Sequence, residues 1–274
     1  MVIPVWGARY VASLERAIAS VRTQDAEVPI IVADNASEVE VPEIPGTIVV
    51  RSPRRLSVGE ARNFGIERVE TELVVILDAD DELTEGALAA LREGIGADPG
   101  IAVHSMSLLE AETGVRHRTP RRFVPALARR PHLFAMATAI WSLYPIQGSA
   151  ILRTSWVRGA GAYPDCDWGD DWVVAVSQAF RGRVIVDPRP GGIYHAHPES
   201  LWRRGRPASD LLAAAKQVRA RLATDPAVPR WTRAMLPVIA VLQTLLILVI
   251  RPLYRGCRDA WEAAARASRS RPGS

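Results

Sequence analysis

The sequence predicts an α/β fold in which a mostly parallel sheet is flanked by helices. Three continuous apolar runs, at residues 28–33, 47–50 and 73–77, have the length and composition of strands buried on both faces of a sheet. The segments before and between them carry apolar residues at helical spacing. Because parallel strands joined by helical crossovers produce this alternation, it defines the fold class.

The first hundred residues contain three predicted helices. The first has an apolar stripe over residues 11–21, the second covers residues 59–69, and the third covers residues 84–95 with Thr84 as its N-cap. The rest of the chain is less regular. Its predicted elements are strands at 101–105, 146–152 and 184–186, helices at 170–180 and 211–222, and an arginine-rich loop at 116–130.

Composition excludes several classes of protein. With 48% hydrophobic and 23% charged residues among 274, the chain can bury a sizeable core, which excludes whole-chain disorder. Two cysteines make neither a disulfide framework nor a four-cysteine zinc site, and they fit a reducing, intracellular setting. Lys216 is the only lysine, which excludes a mechanism that needs a lysine in the first two hundred residues.

The C-terminal part of the chain differs in charge from the rest. Residues 201–274 hold 14 basic and 4 acidic side chains, whereas residues 1–200 are net acidic. The basic residues surround an uncharged apolar segment at 234–250. We therefore predict a domain at 1–200 and a helical basic tail at 201–274, whose apolar helix associates with a membrane surface rather than with nucleic acid. A re-entrant or interfacial helix is favoured over a span, and a buried core helix or dimer contact is the alternative.

An acidic cluster directly follows the third predicted strand. Asp78, Asp80 and Asp81 are placed just beyond the carboxyl end of that strand, where open α/β sheets bind ligands. Three carboxylates repel one another, and Mg²⁺ or Mn²⁺ bridging to a phosphate would relieve this repulsion. A solvated acidic turn that opens the next helix is an equally plausible interpretation of this motif alone.

Polar residues outside this acidic cluster are also candidates for a binding or catalytic site. Asp34 ends another strand, where it can accept a hydrogen bond from a base or ribose, or form an Asx-turn. Arg62, on the second helix, can brace carboxylates or approach a phosphate, or lie on the surface. Asp170 and Asp171 suit a polar anchor and a general base, or simply a helix start. The loop histidines His195 and His197 are candidate metal ligands, with solvent exposure as the alternative.

The order of these segments resembles the family 2 inverting glycosyltransferases of the GT-A fold. The resemblance covers roughly residues 2–200 and rests on VIPVWG, SVRTQ, VADNAS, VGEARNFGI, VVILDADDEL, GDDW and YHAHPES. Asp170-Asp171 stands where the family usually has Glu-Asp, which leaves the base open between the two, and Trp6-Gly7 replaces the commoner Tyr-Asn. The abrupt start at the first strand suggests that the true start codon lies upstream.

The resemblance implies a role for each matching residue. The donor-binding residues would be Pro4, Val5, Asp34, Arg62 and Asp78. Asp171 would be the base beside Asp170, and Asp80 and His197 would hold Mg²⁺ or Mn²⁺. The expected reaction moves a sugar from a nucleotide-diphosphate donor to a hydroxyl of a glycan or lipid-linked acceptor, at the cytoplasmic face of the cell membrane. Some arginines of residues 116–130 are expected to meet an anionic acceptor, with a solvated basic loop as the alternative.

Two other functions remain open. One is a non-catalytic, membrane-bound module that binds nucleotide sugars, and the other is a nucleotidyltransferase of related fold. The nucleotidyltransferase is disfavoured because the chain lacks a Gly-rich loop with a basic residue and a later lysine. A dinucleotide-binding enzyme is excluded because PVWGAR replaces GxGxxG after the first strand.

Overall fold

A computed structural model describes the backbone of residues 1–111, 116–117, 123–195 and 207–252, and the side chains of all of these except residues 116–117. In the N-terminal half, strands alternate with helices as predicted. Its elements are β1 (Val2–Val5), α1 (Gly7–Arg22), β2 (Ile30–Asp34), β3 (Thr47–Arg51), α2 (Val58–Ile66), β4 (Leu73–Val75), β5 (Glu82–Leu83) and α3 (Ala87–Ile95).

The remaining elements include the longest strands. They are β6 (Ile101–Glu110), β7 (Arg116–His117), α4 (Val124–Ala128), α5 (Pro131–Ile140), β8 (Ala150–Arg153), α6 (Thr154–Gly159), α7 (Asp170–Arg181), β9 (Arg183–Tyr194), α8 (Ala208–Thr224), α9 (Arg230–Ala234) and α10 (Leu236–Leu245). A π-helical turn, Leu246–Ile250, directly follows α10. Residues 116–130 are therefore not simply a loop, since β7 and α4 lie within them.

The strands form a parallel part and a mixed part. β1, β2 and β3 pair in parallel, in that order, and a parallel bridge between Val2 and Ile76 joins this part to the end of β4. The mixed part has the order β4-β8-β6-β9-β5, in which only β6 and β9 pair in parallel. The fully buried residues of β2 show why a continuous apolar run predicts a central parallel strand.

The third helix begins later than predicted. Thr84 is not its N-cap, because α3 begins at Ala87 after Gly86, which has a φ of 72°. The Thr84 hydroxyl instead donates to the Pro190 carbonyl at 2.8 Å, and β5 pairs with β9. Thr84 therefore contacts β9, which is distant in sequence, instead of capping the helix that follows it. The same strand, β9, is much longer than the predicted segment 184–186, because it pairs along the whole length of β6.

The C-terminal helices pack on the rest of the chain. Leu211, Ala215 and Val218 of α8 are buried against α7, in a cluster that also contains Ile239 and Ile247. The side-chain amide of Gln243 donates to the Ala139 carbonyl at 2.8 Å. One side of the apolar segment is thus a packed helix face. No helix among the described residues combines the length and the apolar character needed to cross a membrane. The boundary predicted at residue 200 lies outside the described residues and stays a prediction.

Candidate active site

The carboxyl ends of the parallel strands bring the predicted donor residues to one edge of the sheet. In β1, Pro4 and Val5 lie opposite Ala33 and Asp34 of β2. The Leu77 amide donates to the Val2 carbonyl at 2.9 Å, which holds the segment leading into Asp78 beside β1. Ligands of open α/β sheets bind at this edge, so the register supports the predicted grouping.

Asp34 is buried and already has partners in the protein. Its carboxylate accepts from the Ser37 amide at 2.9 Å and from the Arg51 guanidinium at 2.5 Å. Arg51 also donates to the Ser37 carbonyl at 2.7 Å. Asp34 therefore stabilises the loop after β2, and its contact with a nucleobase stays a prediction. The sequence analysis missed Arg51, because no local pattern links the end of β3 to that loop.

Trp6 lies beside the same loop. The residue is 41% exposed, and the Arg55 guanidinium stacks over its ring at 3.5 Å from the ring centroid. The next residue, Gly7, donates its amide to the Ser37 hydroxyl at 3.1 Å. Arg55 is a second residue that the sequence analysis missed. The Trp6–Arg55 pair places a flat aromatic surface and a cation at the strand edge.

Arg62 joins two segments of the site. Its guanidinium donates to the Asp78 carboxylate at 2.9 Å and also pairs with the Asp170 carboxylate. Both Arg62 and Asp170 are buried, with 6% and 5% exposure. Of the alternatives open from the sequence, Arg62 braces carboxylates, and the surface interpretation is wrong. Burial alone would lower the pKa of Arg62, but its pairing with Asp170 and Asp78 raises that pKa well above its usual value, so Arg62 stays charged.

Several contacts hold Arg62 in place. Ser57 and Glu60 form a capping box at the start of α2, the helix that carries Arg62. The capping box gives hydrogen-bond acceptors to backbone amides in the first turn of this helix. The Asn63 side chain exchanges hydrogen bonds with the backbone of Tyr163 at 2.8 and 2.9 Å. A Cβ at Gly59 would lie 1.9 Å from the Pro164 carbonyl oxygen, so only glycine allows this close approach. The helix that carries Arg62 is therefore locked to the loop that leads into Asp170.

The acidic cluster is crowded and partly buried. Burial and the nearby charge of Asp78 raise the pKa of Asp80 to about 6. Burial, with the charges of Asp80 and Asp78, raises the pKa of Asp81 well above its usual range. Arg16 of α1 donates to the Asp80 carbonyl oxygen at 2.9 Å, so it holds the backbone of this turn. The cluster is thus more than a solvated acidic turn.

His195 is held by this acidic segment. Its Nε2 lies 2.6 Å from a Glu82 carboxylate oxygen, and its amide donates to Asp81 at 3.2 Å. A solvent-exposed loop histidine is therefore a wrong interpretation of His195. His197 lies outside the described residues. Within the part of the chain that the structure describes, no group of three or more His, Cys, Asp or Glu side chains is arranged to hold a metal ion.

Asp170 and Asp171 begin α7 but have different environments. Asp170 is buried against Arg62, and burial, opposed by Arg62, raises its pKa to about 6. Asp171 is only half-buried and lines a cavity of about 320 Å³. Asp78 and Asp81 line the same cavity, so the site brings the two predicted acidic segments together.

The C-terminal helices form part of this cavity. Leu211 and Ala214 of α8 line it, as does Arg251 at the end of the π-helical turn. Gly169, with a φ of 72°, lies so close to α8 that a Cβ there would be 2.3 Å from the Ala214 Cβ. Of the arginines in the predicted acceptor loop, Arg129 and Arg130 are exposed, and the side chains of residues 116–122 lie outside the described set.

We predict that Arg62→Met destabilises the protein by about 3–5 kcal/mol at pH 8, because the buried Asp170 carboxylate and the partly exposed Asp78 carboxylate lose their cation. The stability lost on this substitution should become smaller as the pH falls towards 5. The folded-state pKa of Asp170 is already raised to about 6, so its protonated form stabilises the fold at low pH and this contribution is lost as the pH rises. Urea unfolding at both pH values measures the effect.

Arg54→Met is the matched control, since it breaks an exposed ion pair with Glu60. The control should change stability by less than about 1 kcal/mol. Equal effects of the two substitutions, or a loss at Arg62 that does not depend on pH, would contradict the assigned network.

Comparison with known proteins supports the predicted family and fold. Residues 1–157 match the family described as Glycosyl transferase family 2. No curated protein matches the sequence. Similar solved structures include residues 1–349 of TarS from S. aureus, in complex with UDP-GlcNAc. The TM-score is 0.64 and the sequence identity is 13%, and the match covers 89% of this chain and 71% of that chain.

A second similar structure is the mannosyltransferase PcManGT from Pyrobaculum calidifontis, in complex with GDP-Man and Mn²⁺. It has a TM-score of 0.61 and 21% identity, over 100% of this chain and 75% of that chain. At these identities the two structures establish the α/β GT-A-like fold. Since the family match covers more than half of the sequence, the chain belongs to glycosyl transferase family 2.

Proposed function

We propose that the protein transfers a sugar from a nucleotide-diphosphate donor to an acceptor hydroxyl, with inversion at the anomeric carbon. The observation that carries this proposal is the cavity in which Asp171 faces the Asp78–Asp81 segment, with Arg62 joining the two acidic segments behind it. A proton acceptor on one side and a diphosphate-binding edge on the other is the arrangement that a direct displacement needs.

The donor is proposed to lie along the carboxyl ends of β1, β2 and β4. Pro4, Val5 and Asp34 would meet the nucleobase, and Asp78 the nucleotide, with Arg62 behind it. The similar structures contain UDP-GlcNAc in TarS and GDP-Man in PcManGT, so this fold accepts nucleotide-diphosphate sugars with either kind of base. Trp6 and Arg55 add an aromatic surface and a cation beside the proposed nucleobase position.

Asp171 is proposed as the general base. Its carboxylate would take the proton from the acceptor hydroxyl as that oxygen attacks the anomeric carbon from the face opposite the diphosphate. The new C–O bond forms while the bond to the diphosphate breaks, so the configuration inverts. Asp170 was predicted beside it as a catalytic residue, but its carboxylate is buried against Arg62. We therefore assign Asp170 to positioning Arg62 and the start of α7.

A divalent cation, Mg²⁺ or Mn²⁺, is proposed to be held by Asp80 and His197. Carboxylate and imidazole groups are suitable ligands for such an ion, and a cation beside Asp80 would offset the burial and the Asp78 charge that raise the pKa of its carboxyl to about 6. When bound, the ion would neutralise negative charge on the leaving diphosphate. The presence of Mn²⁺ in the PcManGT structure supports this choice of ion.

We predict that Asp171→Asn lowers turnover by about 10²-fold or more while donor affinity changes little, because a general base acts in the transition state. Initial transfer rates and calorimetric titration of UDP- and GDP-sugars measure the two effects. Asp165→Asn, on an exposed loop residue, is the control and should retain wild-type turnover. Near-normal turnover of Asp171→Asn together with an inactive Asp170→Asn would reverse the assignment of the base.

We also predict that a chelator stops transfer and that Mg²⁺ or Mn²⁺ restores it. Asp80→Ala should be about 10²-fold less active and should not respond to added metal, since it lacks the proposed ligand. The measurement is transfer rate against metal concentration for both proteins. Full activity of the wild-type protein in excess chelator would remove the metal from the mechanism.

Membrane attachment at the cytoplasmic face is proposed through one side of α10 and its π-helical turn. We call this side the apolar face, and its seven residues are between 40% and 58% exposed: Val238, Val241, Leu242, Leu245, Leu248, Val249 and Ile250. Arg230, Arg233 and Arg251 flank it, so an anionic bilayer complements its ends. Contiguous exposed apolar surface of this kind marks an interaction site.

We predict that the protein floats with vesicles of phosphatidylcholine and phosphatidylglycerol at high salt, and that Leu245→Glu with Leu248→Glu abolishes flotation. Each leucine is 47% exposed, so the charges should disturb membrane insertion more than folding. Ile48→Glu is the control, because Ile48 is a 57% exposed residue of β3, remote in sequence from the apolar face, and should leave flotation intact. A wild-type protein that forms a dimer and stays unbound would support a dimer contact instead.

A further inference from the structure

Gln147 carries a buried hydrogen-bond donor that the protein itself does not use. Its side-chain amide nitrogen has no partner among the described residues, although the residue lines the cavity together with Asp78, Asp81 and Asp171. On the basis of the proposed transferase function, we propose that Gln147 is a specificity-determining residue. Its amide donates a hydrogen bond to a hydroxyl of the sugar in the nucleotide-diphosphate donor.

The missing partner of this amide needs an explanation. Buried polar atoms of folded proteins are paired in the great majority of cases. Other described side chains also have a buried nitrogen or oxygen atom without a partner, but none of those residues lines the cavity. A ligand in the cavity can therefore supply the partner that Gln147 lacks.

Two other donors of the cavity wall are already used within the protein. The Tyr144 hydroxyl donates to the Ala175 carbonyl at 2.7 Å. The Trp172 indole N–H donates to the Thr138 carbonyl at 2.6 Å. These groups hold the wall together, whereas the Gln147 amide remains available to a ligand.

The backbone around Gln147 is fixed, while its side chain can turn. The amide of the next residue, Gly148, donates to the Ile76 carbonyl at 2.7 Å. The Ser149 carbonyl accepts from the Met106 amide at 2.8 Å. The last torsion of a glutamine side chain has broad energy minima. Because no described residue holds the amide nitrogen, turning it towards a ligand breaks no hydrogen bond of that nitrogen.

The position of Gln147 favours the sugar of the donor over the acceptor. Ile76, which accepts from the Gly148 amide, lies two residues before Asp78. A Cβ on Gly148 would be 3.7 Å from the Asp81 carboxylate, so the backbone beside Gln147 passes close to the acidic turn. That turn is the proposed diphosphate side of the cavity. Since the sugar of the donor is joined directly to the diphosphate, Gln147 is placed beside this sugar.

A neutral amide suits this cavity better than a cation. The carboxylates of Asp78, Asp81 and Asp171 can accept hydrogen bonds from sugar hydroxyls. A hydroxyl that donates to a carboxylate still has lone pairs, to which the Gln147 amide can donate. Because the amide is uncharged, it does not lower the proton affinity of Asp171, as a lysine or arginine beside it would.

Calorimetric titration of the full chain with UDP-GlcNAc, UDP, GDP-mannose and GDP tests the proposal. Gln147→Met should weaken the binding of a sugar nucleotide by about 5-fold or more, because a sugar hydroxyl loses its donor. Binding of UDP or GDP should change by less than about 2-fold. Gln178→Met is the matched control, since the Gln178 amide oxygen is also buried without a partner but the residue does not line the cavity. The control should keep wild-type affinity for all these nucleotides.

Analogues of the two sugar nucleotides, each with one sugar hydroxyl replaced by hydrogen, identify the contact. One analogue should bind the wild-type protein about 5-fold more weakly than its parent, and Gln147→Met should bind that analogue and the parent equally. The proposal is overturned if every hydroxyl contributes the same amount in both proteins.

Thermal unfolding without ligand separates this role from a structural one. Since an unpaired buried nitrogen is costly, Gln147→Met should leave the unfolding temperature unchanged or raise it. A lower unfolding temperature, together with equal weakening of sugar nucleotides, UDP and GDP, would show a structural role and contradict the inference. A wild-type protein that binds none of these nucleotides would contradict the proposed function as well. If Gln147→Met binds sugar nucleotides as tightly as the wild-type protein, only this inference fails.

Discussion

The site depends on one buried cation between two carboxylates. Arg62 pairs with Asp78 after β4 and with Asp170 at the start of α7, so a single side chain fixes the distance between two segments that are remote in sequence. A buried ion pair is tolerated only when its charges are well paired, and here one cation meets two anions. The capping box, the Gly59 contact and the Asn63–Tyr163 hydrogen bonds all serve to hold this arginine in position.

This arrangement gives two adjacent aspartates different tasks. Asp170 turns inward to Arg62 and loses contact with solvent, whereas Asp171 lines the cavity. Without the cation, a carboxylate buried as deeply as Asp170 would take up a proton and no longer hold the helix start through charge. The position of Asp171 in the cavity is therefore a consequence of the pairing of its neighbour, which is a matter of geometry rather than of residue type.

Local sequence patterns predicted the parts of the fold that local forces decide. The apolar runs before Asp34 and Asp78, and the helical spacing of α1, α2 and α7, correspond to elements of the structure. Patterns of this kind could not show that Arg62 pairs with a residue 108 positions away, or that Arg51 occupies the Asp34 carboxylate. Thr84 failed as a cap for the same reason, since β9, about a hundred residues later, supplies its partner. The acidic motifs contributed Asp78, Asp81 and Asp171 to one cavity, and tertiary contacts decided which aspartate of the 170–171 pair lines it.

The contact between Gly169 and Ala214 has an evolutionary consequence. Because α8 lies against Gly169, the residue that precedes the acidic pair, with no room for a side chain between them, the C-terminal part and the segment that carries Asp170 and Asp171 share a wall of the cavity. A lineage cannot exchange this C-terminal part for another without also reshaping the cavity next to Asp171. Changes in the C-terminal part and changes in the shape of this cavity should therefore be inherited together.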